Sequence, residues 1–205
     1  MAASRSVSKP RSRVRSFSPS HWWPGKVASK QSVYVSYACN QAYDFTPASG
    51  SPVWHDSGPC EGGGGATTVL YNNRLYTRDS EGNLILNATT GKLVGTYAAS
   101  QSPAFSGTTG YFLNGSTLSA ESLSNHSVLW SFKGDGSLAT TPMVDGAYIY
   151  IGSAKGNLYA LNATTGQQVW TAKVGAALGR SEFASLAAAE QVIAVPAGSQ
   201  LSIYG

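Results

Sequence analysis

The stretch GNLYALNATTGQQVW, Gly156 to Trp170, decides how this chain folds. Leu158 to Leu161 is a short apolar run of strand length. Asn162 to Gly166 reads as a turn, with glycine where positive φ is needed. Gln168 to Ala172 then resumes an extended pattern. Upstream, Met143 and Val144 end a short strand, and Asp145-Gly146 predicts a type I′ hairpin. Tyr148 to Ile151 forms the next strand and Ser153 to Gly156 the next turn. Four short strands joined by tight turns between Thr141 and Gly175 make one small antiparallel sheet.

The unit recurs, and recurrence sets the architecture. Asn-Ala-Thr-Thr-Gly occurs at Asn87–Gly91 and again at Asn162–Gly166. Ser116–Trp130 aligns with Gly156–Trp170 at an offset of 40, which matches Leu118 to Leu158, Ala120 to Ala160 and Trp130 to Trp170. Tyr43–Trp54 aligns with Tyr159–Trp170 without a gap, and Ser199–Gly205 begins the pattern again. Asn72-Asn73 and Asn114-Gly115 supply the corresponding turn residues elsewhere. The expected fold is all-β, a partial β-propeller of four to five four-stranded antiparallel blades. Residues 27–60, 66–100, 103–137 and 141–178 form the blades, and 183–205 an incomplete fifth. A single four-stranded sheet cannot bury both faces, so each must lean on its neighbours.

Composition agrees. Of 205 residues only 12% are charged, while 23 are glycine and 11% aromatic. That balance suits a β-protein rich in turns and argues against a helical bundle. No run of 18 apolar residues exists, so no transmembrane helix is expected. The formal net charge is +4, but the first thirty residues hold seven basic side chains and no acid, which leaves the remainder at −3. Residues 1–26 read as a basic, disordered tail. The globular part carries no charge signature of nucleic-acid binding. The tail also lacks the apolar core of an export signal.

Ala160, Asn162, Thr165, Gly166 and Trp170 carry a resemblance to the repeat of pyrroloquinoline-quinone-like (PQQ-like) β-propellers. Thr90 and Gly91 keep the pattern, but Gly95 stands where the tryptophan belongs. Gly50 and Trp54 keep it in the first repeat. Trp130 keeps it in the third, with His126 in place of glycine. The resemblance implies that Trp54, Trp130 and Trp170 dock on the adjacent blade. It also implies a ring of commonly eight blades, sometimes seven, more than this sequence encodes. A truncated product, a partner or second copy that completes the ring, and a five-bladed ring are the open outcomes. In the last, Ser18–Trp23 would add a strand beside Gln200–Tyr204.

Candidate chemistry is sparse. Cys39 and Cys60 fall on one rim of the first repeat and are expected to form a disulfide, which points to an oxidising compartment. His21, His55 and His126 fit no zinc spacing. Asp56, Glu61, Asp79, Glu81 and Glu121 lie mostly in turns and form no calcium loop. Glu61 to Gly65 lacks the Lys-Ser/Thr of a phosphate loop. Asn87, Asn114, Asn125 and Asn162, each in an Asn-x-Ser/Thr triplet, read as turn residues. No catalytic, cofactor or metal residues are assigned. The quinoprotein dehydrogenases that the resemblance brings in carry adjacent cysteines, and none occur here; PQQ with Ca²⁺ is expected only if the chain is a fragment of such an enzyme. The expected function is a non-catalytic interaction or scaffold domain with a protein partner, in the periplasm, at the cell surface or secreted. A third possibility is a carbohydrate-binding module using Tyr34, Tyr37 and Tyr111.

Overall fold

The computed structural model describes residues 32–37, 39–58, 67–179, 186–189 and 192–205. Within them the chain is all-β, without a helix, in five antiparallel sheets taken in sequence order. The first sheet is β1 (Val33–Tyr37), β2 (Gln41–Phe45) and β3 (Pro52–Asp56). The second is β4 (Val69–Tyr71), β5 (Arg74–Asp79), β6 (Gly82–Asn87) and β7 (Leu93–Thr96). The third comprises β8 (Ala104–Ser106), β9 (Thr109–Asn114), β10 (Thr117–Ser122) and β11 (Val128–Phe132). The fourth runs through β12 (Met143–Asp145), β13 (Tyr148–Gly152), β14 (Asn157–Asn162) and β15 (Gln168–Lys173). The fifth has β16 (Ala187–Ala189), β17 (Val192–Ala197) and β18 (Gln200–Tyr204).

Each sheet is a meander whose strands pair only with their sequence neighbours. Turn chemistry explains the registers. Asn72 and Asn73 both take left-handed backbone, φ 47° and 59°, as a two-residue I′ turn requires. At Asp145-Gly146 the expectation needs correction. Asp145 pairs with Tyr148, so the turn residues are Gly146 and Ala147, and only Gly146 is left-handed, at φ 57°. One glycine at the first central position suits a II′-like reversal, not I′. Gly115-Ser116 follows the same rule, since Asn114 pairs with Thr117 and Gly115 has φ 57°.

Alternation of side chains gives each sheet two faces, and consecutive sheets stack face to face. Tyr34 and Ala42 of the first sheet bury against Leu75 and Leu86 of the second. Leu113, Leu118 and Ala120 of the third bury against Ile149, Ile151 and Leu161 of the fourth. Leu158 of the fourth packs with Ile193, Val195 and Ala197 of the fifth. The innermost strands β4, β8 and β12 line one cavity of about 500 Å³, so the stacked sheets share an axis. The described sheets do not close into a ring. Val35 and Val53 stay exposed on the outer face of the first sheet, and Leu201 and Ile203 on that of the fifth. The basic tail, the Ser18–Trp23 strand, the Glu61–Gly65 run and Cys60 lie outside the described residues.

Candidate functional site

The repeated turn builds a seat for the neighbouring sheet. Asn162 Oδ1 accepts hydrogen bonds from the backbone N–H groups of Thr164 and Thr165, each at 3.0 Å, and Gly166 N–H donates to Asn162 O at 2.8 Å. Asn87 makes the same three bonds with Thr89, Thr90 and Gly91 at 3.0, 3.0 and 2.8 Å. The asparagines of the NATT triplets are thus turn-forming groups.

Onto this seat the preceding sheet lowers a tryptophan. Trp130 Nε1 donates to Ala163 O at 3.1 Å, and Trp54 Nε1 donates to Ala88 O at 2.9 Å. The glycine is required twice over. Gly166 sits at φ 71°, and a Cβ there would meet the Trp130 ring at 2.5 Å. At Gly91, φ 70°, the Cβ would meet the Trp54 ring at 2.7 Å. Trp170 has no such turn to sit on among the described residues. It stands edge-on to Tyr204 at 5.3 Å and is 39% exposed.

A partner to the tryptophan went unnoticed in the sequence. The registers align Tyr34–Asp44–Trp54, Tyr76–Ile85–Gly95, Tyr111–Ala120–Trp130 and Tyr150–Ala160–Trp170 across the last three strands of each of the first four sheets. Every row begins with tyrosine. Tyr111 OH joins Trp130 on Ala163 O, at 3.2 Å. Tyr34 and Tyr111 are buried beside their tryptophans, at centroid distances of 6.0 and 5.8 Å. That corrects their reading as sugar-stacking surface aromatics: cross-strand pairing turns them into the junction. The Tyr37 side chain lies outside the described set.

The second row breaks the pattern. Gly95 leaves the indole position empty, and the next sheet answers with His126 at φ 58° where the others have glycine. The turn backbone is otherwise kept. His126 N–H donates to Ser122 O at 2.8 Å, and Leu123 N–H to Thr108 O at 2.9 Å, as Ala163 N–H does to Ala147 O. Between the two sheets lies a cavity of about 490 Å³, whose walls include Arg74, Tyr76, Ile85, Glu121, Leu123 and His126. Glu121, expected among turn acids, is instead in β10 and faces this space. Burial pushes its carboxyl up, and nearby His126 opposes the shift. Burial likewise holds the Tyr97 phenol well above its ordinary range; its O–H donates to Thr77 O at 3.0 Å.

Other residues singled out in the sequence stand apart from this site. His55 is exposed, stacked on Tyr43 at 4.1 Å, with Nε2 at 2.6 Å from Gln41 Oε1. Cys39 occupies a left-handed turn at φ 68° and is not without a partner. Asp135, which sequence reasoning passed over, ties the third-to-fourth connection to the fourth sheet. It accepts from Ser137 Oγ at 2.7 Å, Ser153 Oγ at 2.7 Å and Asn157 Nδ2 at 2.5 Å. Burial alone would raise its pKa, but these bonds, led by Ser153, outweigh it and hold the carboxyl well below the usual range. Among the described residues no three acidic, histidine or cysteine side chains gather as a metal site.

A family model described as outer membrane protein assembly factor BamB matches residues 40–203. The chain belongs to this family of PQQ-like repeat propellers. The crystal structure of BamB from Moraxella catarrhalis superposes with a TM-score of 0.66 at 18% identity, over 87% of this chain and 55% of that one. The computationally designed Ika8 protein gives a TM-score of 0.67 at 15% identity, over 86% and 56%. These two likenesses speak for the propeller fold alone. Tetrathionate hydrolase of Acidithiobacillus ferrooxidans is 42% identical over 52 residues, 25% of this chain and 10% of that protein. The chain thus spans little more than half of these two propeller structures and a small part of that enzyme.

The resemblance raised PQQ with Ca²⁺, and the axial cavity is where the chemistry must be checked. Among the described residues its walls include Leu70, Phe105, Met143, Val144 and Leu186, with Asp145 as the one carboxylate and no basic side chain. A quinone bearing several carboxylates needs cationic partners, and calcium needs converging oxygens. The described lining of this cavity does not fit that group.

Proposed function

We propose that the chain is a non-catalytic propeller module that holds other proteins outside the cytoplasm. The carrying observation is the match of residues 40–203 to a family described by an outer membrane protein assembly factor. The junction chemistry supports it, since tyrosine, tryptophan and the Asn-x-Thr-Thr-Gly turn are spent on stacking sheets. The partner in this reading belongs to the machinery that assembles outer-membrane proteins.

The test is binding of the purified chain to the purified periplasmic portion of that machinery, read by calorimetry at low and physiological salt. Saturable binding supports the reading; none at tens of micromolar overturns it. Dye-linked alcohol oxidation with PQQ and Ca²⁺ is measured alongside, and turnover there installs the dehydrogenase reading instead. The reading also includes a Cys39–Cys60 disulfide, in keeping with an oxidising compartment. Mass spectrometry after alkylation without reductant should show no added label, and two labels would remove it. A second reading follows from the 52-residue likeness to tetrathionate hydrolase. It requires hydrolytic consumption of tetrathionate by the purified chain.

A further inference from the structure

We infer that the cavity between the second and third sheets is a binding site for an indole-like group, a planar aromatic with an N–H donor. At the first-to-second and third-to-fourth junctions, an indole lies on the glycine of the next turn. Its N–H meets the carbonyl two residues into the seat motif, Ala88 O or Ala163 O. At the second-to-third junction the chain supplies no indole, because Gly95 occupies its register position. Part of the receiving surface remains, although His126 stands where the other turns have glycine, so a ring lies in the cavity displaced from the turn. Tyr76 keeps the row's tyrosine, and Leu123 holds the place of Ala88 and Ala163, with its own N–H bonded as theirs are. A Cβ built on Gly95 has only Ile85 Cδ1 nearby, at 3.9 Å.

The space has not collapsed. Among the described residues, buried apolar clusters seal the other three junctions but not this one. A cavity of about 490 Å³ remains, of the size that small-molecule sites have. Ring walls are present: Tyr71, Tyr76, Tyr97 and Phe112 line the cavity, with Tyr97 near Phe112 at 6.0 Å. A planar aromatic gains both burial and offset stacking there. Arg74, Glu121 and His126 stand at the same walls and add polar contacts for substituents on the ring. The indole group arrives either as a free small molecule or as a tryptophan side chain of a peptide.

The test titrates 5-fluoroindole into the full chain and follows the fluorine resonance. Saturable binding in the micromolar to low millimolar range is expected. Gly95→Trp made together with His126→Gly, which restores both halves of the seat, fills the cavity from within and should weaken binding at least tenfold, with no loss of thermal midpoint. Ser119→Phe, which closes the cavity from the opposite wall, should do the same and guards against a misfolded first variant. N-acetyltryptophanamide competing as well as free indole assigns the site to a peptide side chain; competition by indole alone assigns it to a small molecule. Non-saturable binding by the wild-type chain, or undiminished binding in both folded variants, overturns the inference.

Discussion

The third-to-fourth junction and the second-to-third junction are built on the same turn backbone, yet one is sealed and the other is hollow. In the first, Trp130 and Tyr111 converge on one carbonyl over Gly166, inside a cluster that includes Leu113, Leu118, Ile149 and Leu161. In the second, Gly95 and His126 replace tryptophan and glycine, and rings and polar side chains surround a cavity. The difference teaches that the two substitutions are one event. Glycine is needed under the seat because an indole presses on its Cα, and where the indole is missing a side chain fits. Propeller stacking then rests on pairs of residues that belong to different sheets.

The largest effect should come from removing the indole itself. Trp130→Ala loses a stacked ring and leaves Ala163 O with only Tyr111, at a cost of about 3–4 kcal/mol. Trp170→Ala should cost about 1 kcal/mol, because that ring is already 39% exposed. Denaturant midpoints of the two variants measure the contrast, and equal losses would mean that seating contributes nothing beyond ring burial. Next in size is Gly166→Ala, which drives a methyl into the Trp130 ring at a left-handed φ of 71°. About 2–3 kcal/mol of destabilisation is expected. His126→Gly at the matched position meets no ring and relieves left-handed strain, so it should stabilise by up to about 1 kcal/mol. If both variants destabilise alike, the coupling between indole and glycine is wrong.

Much of this was legible in the sequence. Repetition of Asn-Ala-Thr-Thr-Gly and a recurring tryptophan suffice for the sheets, since turn and strand chemistry are local. Gly95 and His126 were visible as departures, but only as separate ones; they sit in different repeats and meet only across a sheet junction. The tyrosine row was hidden for the same reason. Its members fall two strands before the tryptophan position in each unit, where loop lengths shift the alignment, and only strand register lines them up with the tryptophans. The turn at Gly146 was misplaced by one residue because Asp-Gly is a strong I′ signal, and pairing of Asp145 with Tyr148 decides otherwise. Nothing in the local sequence Gly134-Asp135-Gly136 distinguishes Asp135. Its partners Ser153 and Asn157 come from the next unit.

The sealed junction also holds a carboxylate that stabilises, and its removal comes third in size. Asp135→Asn forfeits charge-assisted bonds to Ser137 and Ser153 and sets an amide against the Asn157 amide, for about 2 kcal/mol at neutral pH. Its folded pKa is depressed, so its contribution is present above the unfolded carboxylate pKa and is lost as pH falls through the folded value. Wild type and variant should therefore converge in stability on acidification below about pH 4, the ordinary carboxylate range. Urea midpoints from pH 2 to 7 test this, and a gap that stays constant to pH 2 would exclude the carboxylate as its source.

Asp44 runs the other way, and its effect is among the smallest. It takes the row position that is alanine in the third and fourth sheets, buried between Tyr34 and Trp54. Ser32 Oγ donates to Oδ2 at 3.0 Å, while Oδ1 is buried without a hydrogen-bond partner. Burial raises its pKa, and the Ser32 bond offsets this only in part. A raised folded pKa means that its contribution is full at low pH and is lost as pH climbs through that value. Near neutrality the ionised group is a liability in the first-to-second junction. Asp44→Asn keeps an acceptor for Ser32 and removes the charge, so it should raise stability by about 1 kcal/mol at pH 8 and by less at pH 4. The wild-type minus variant difference, followed by urea midpoint across that window, must therefore change opposite in sign to that of Asp135. A parallel trend in the two variants would show that net charge, rather than these two environments, governs the pH dependence.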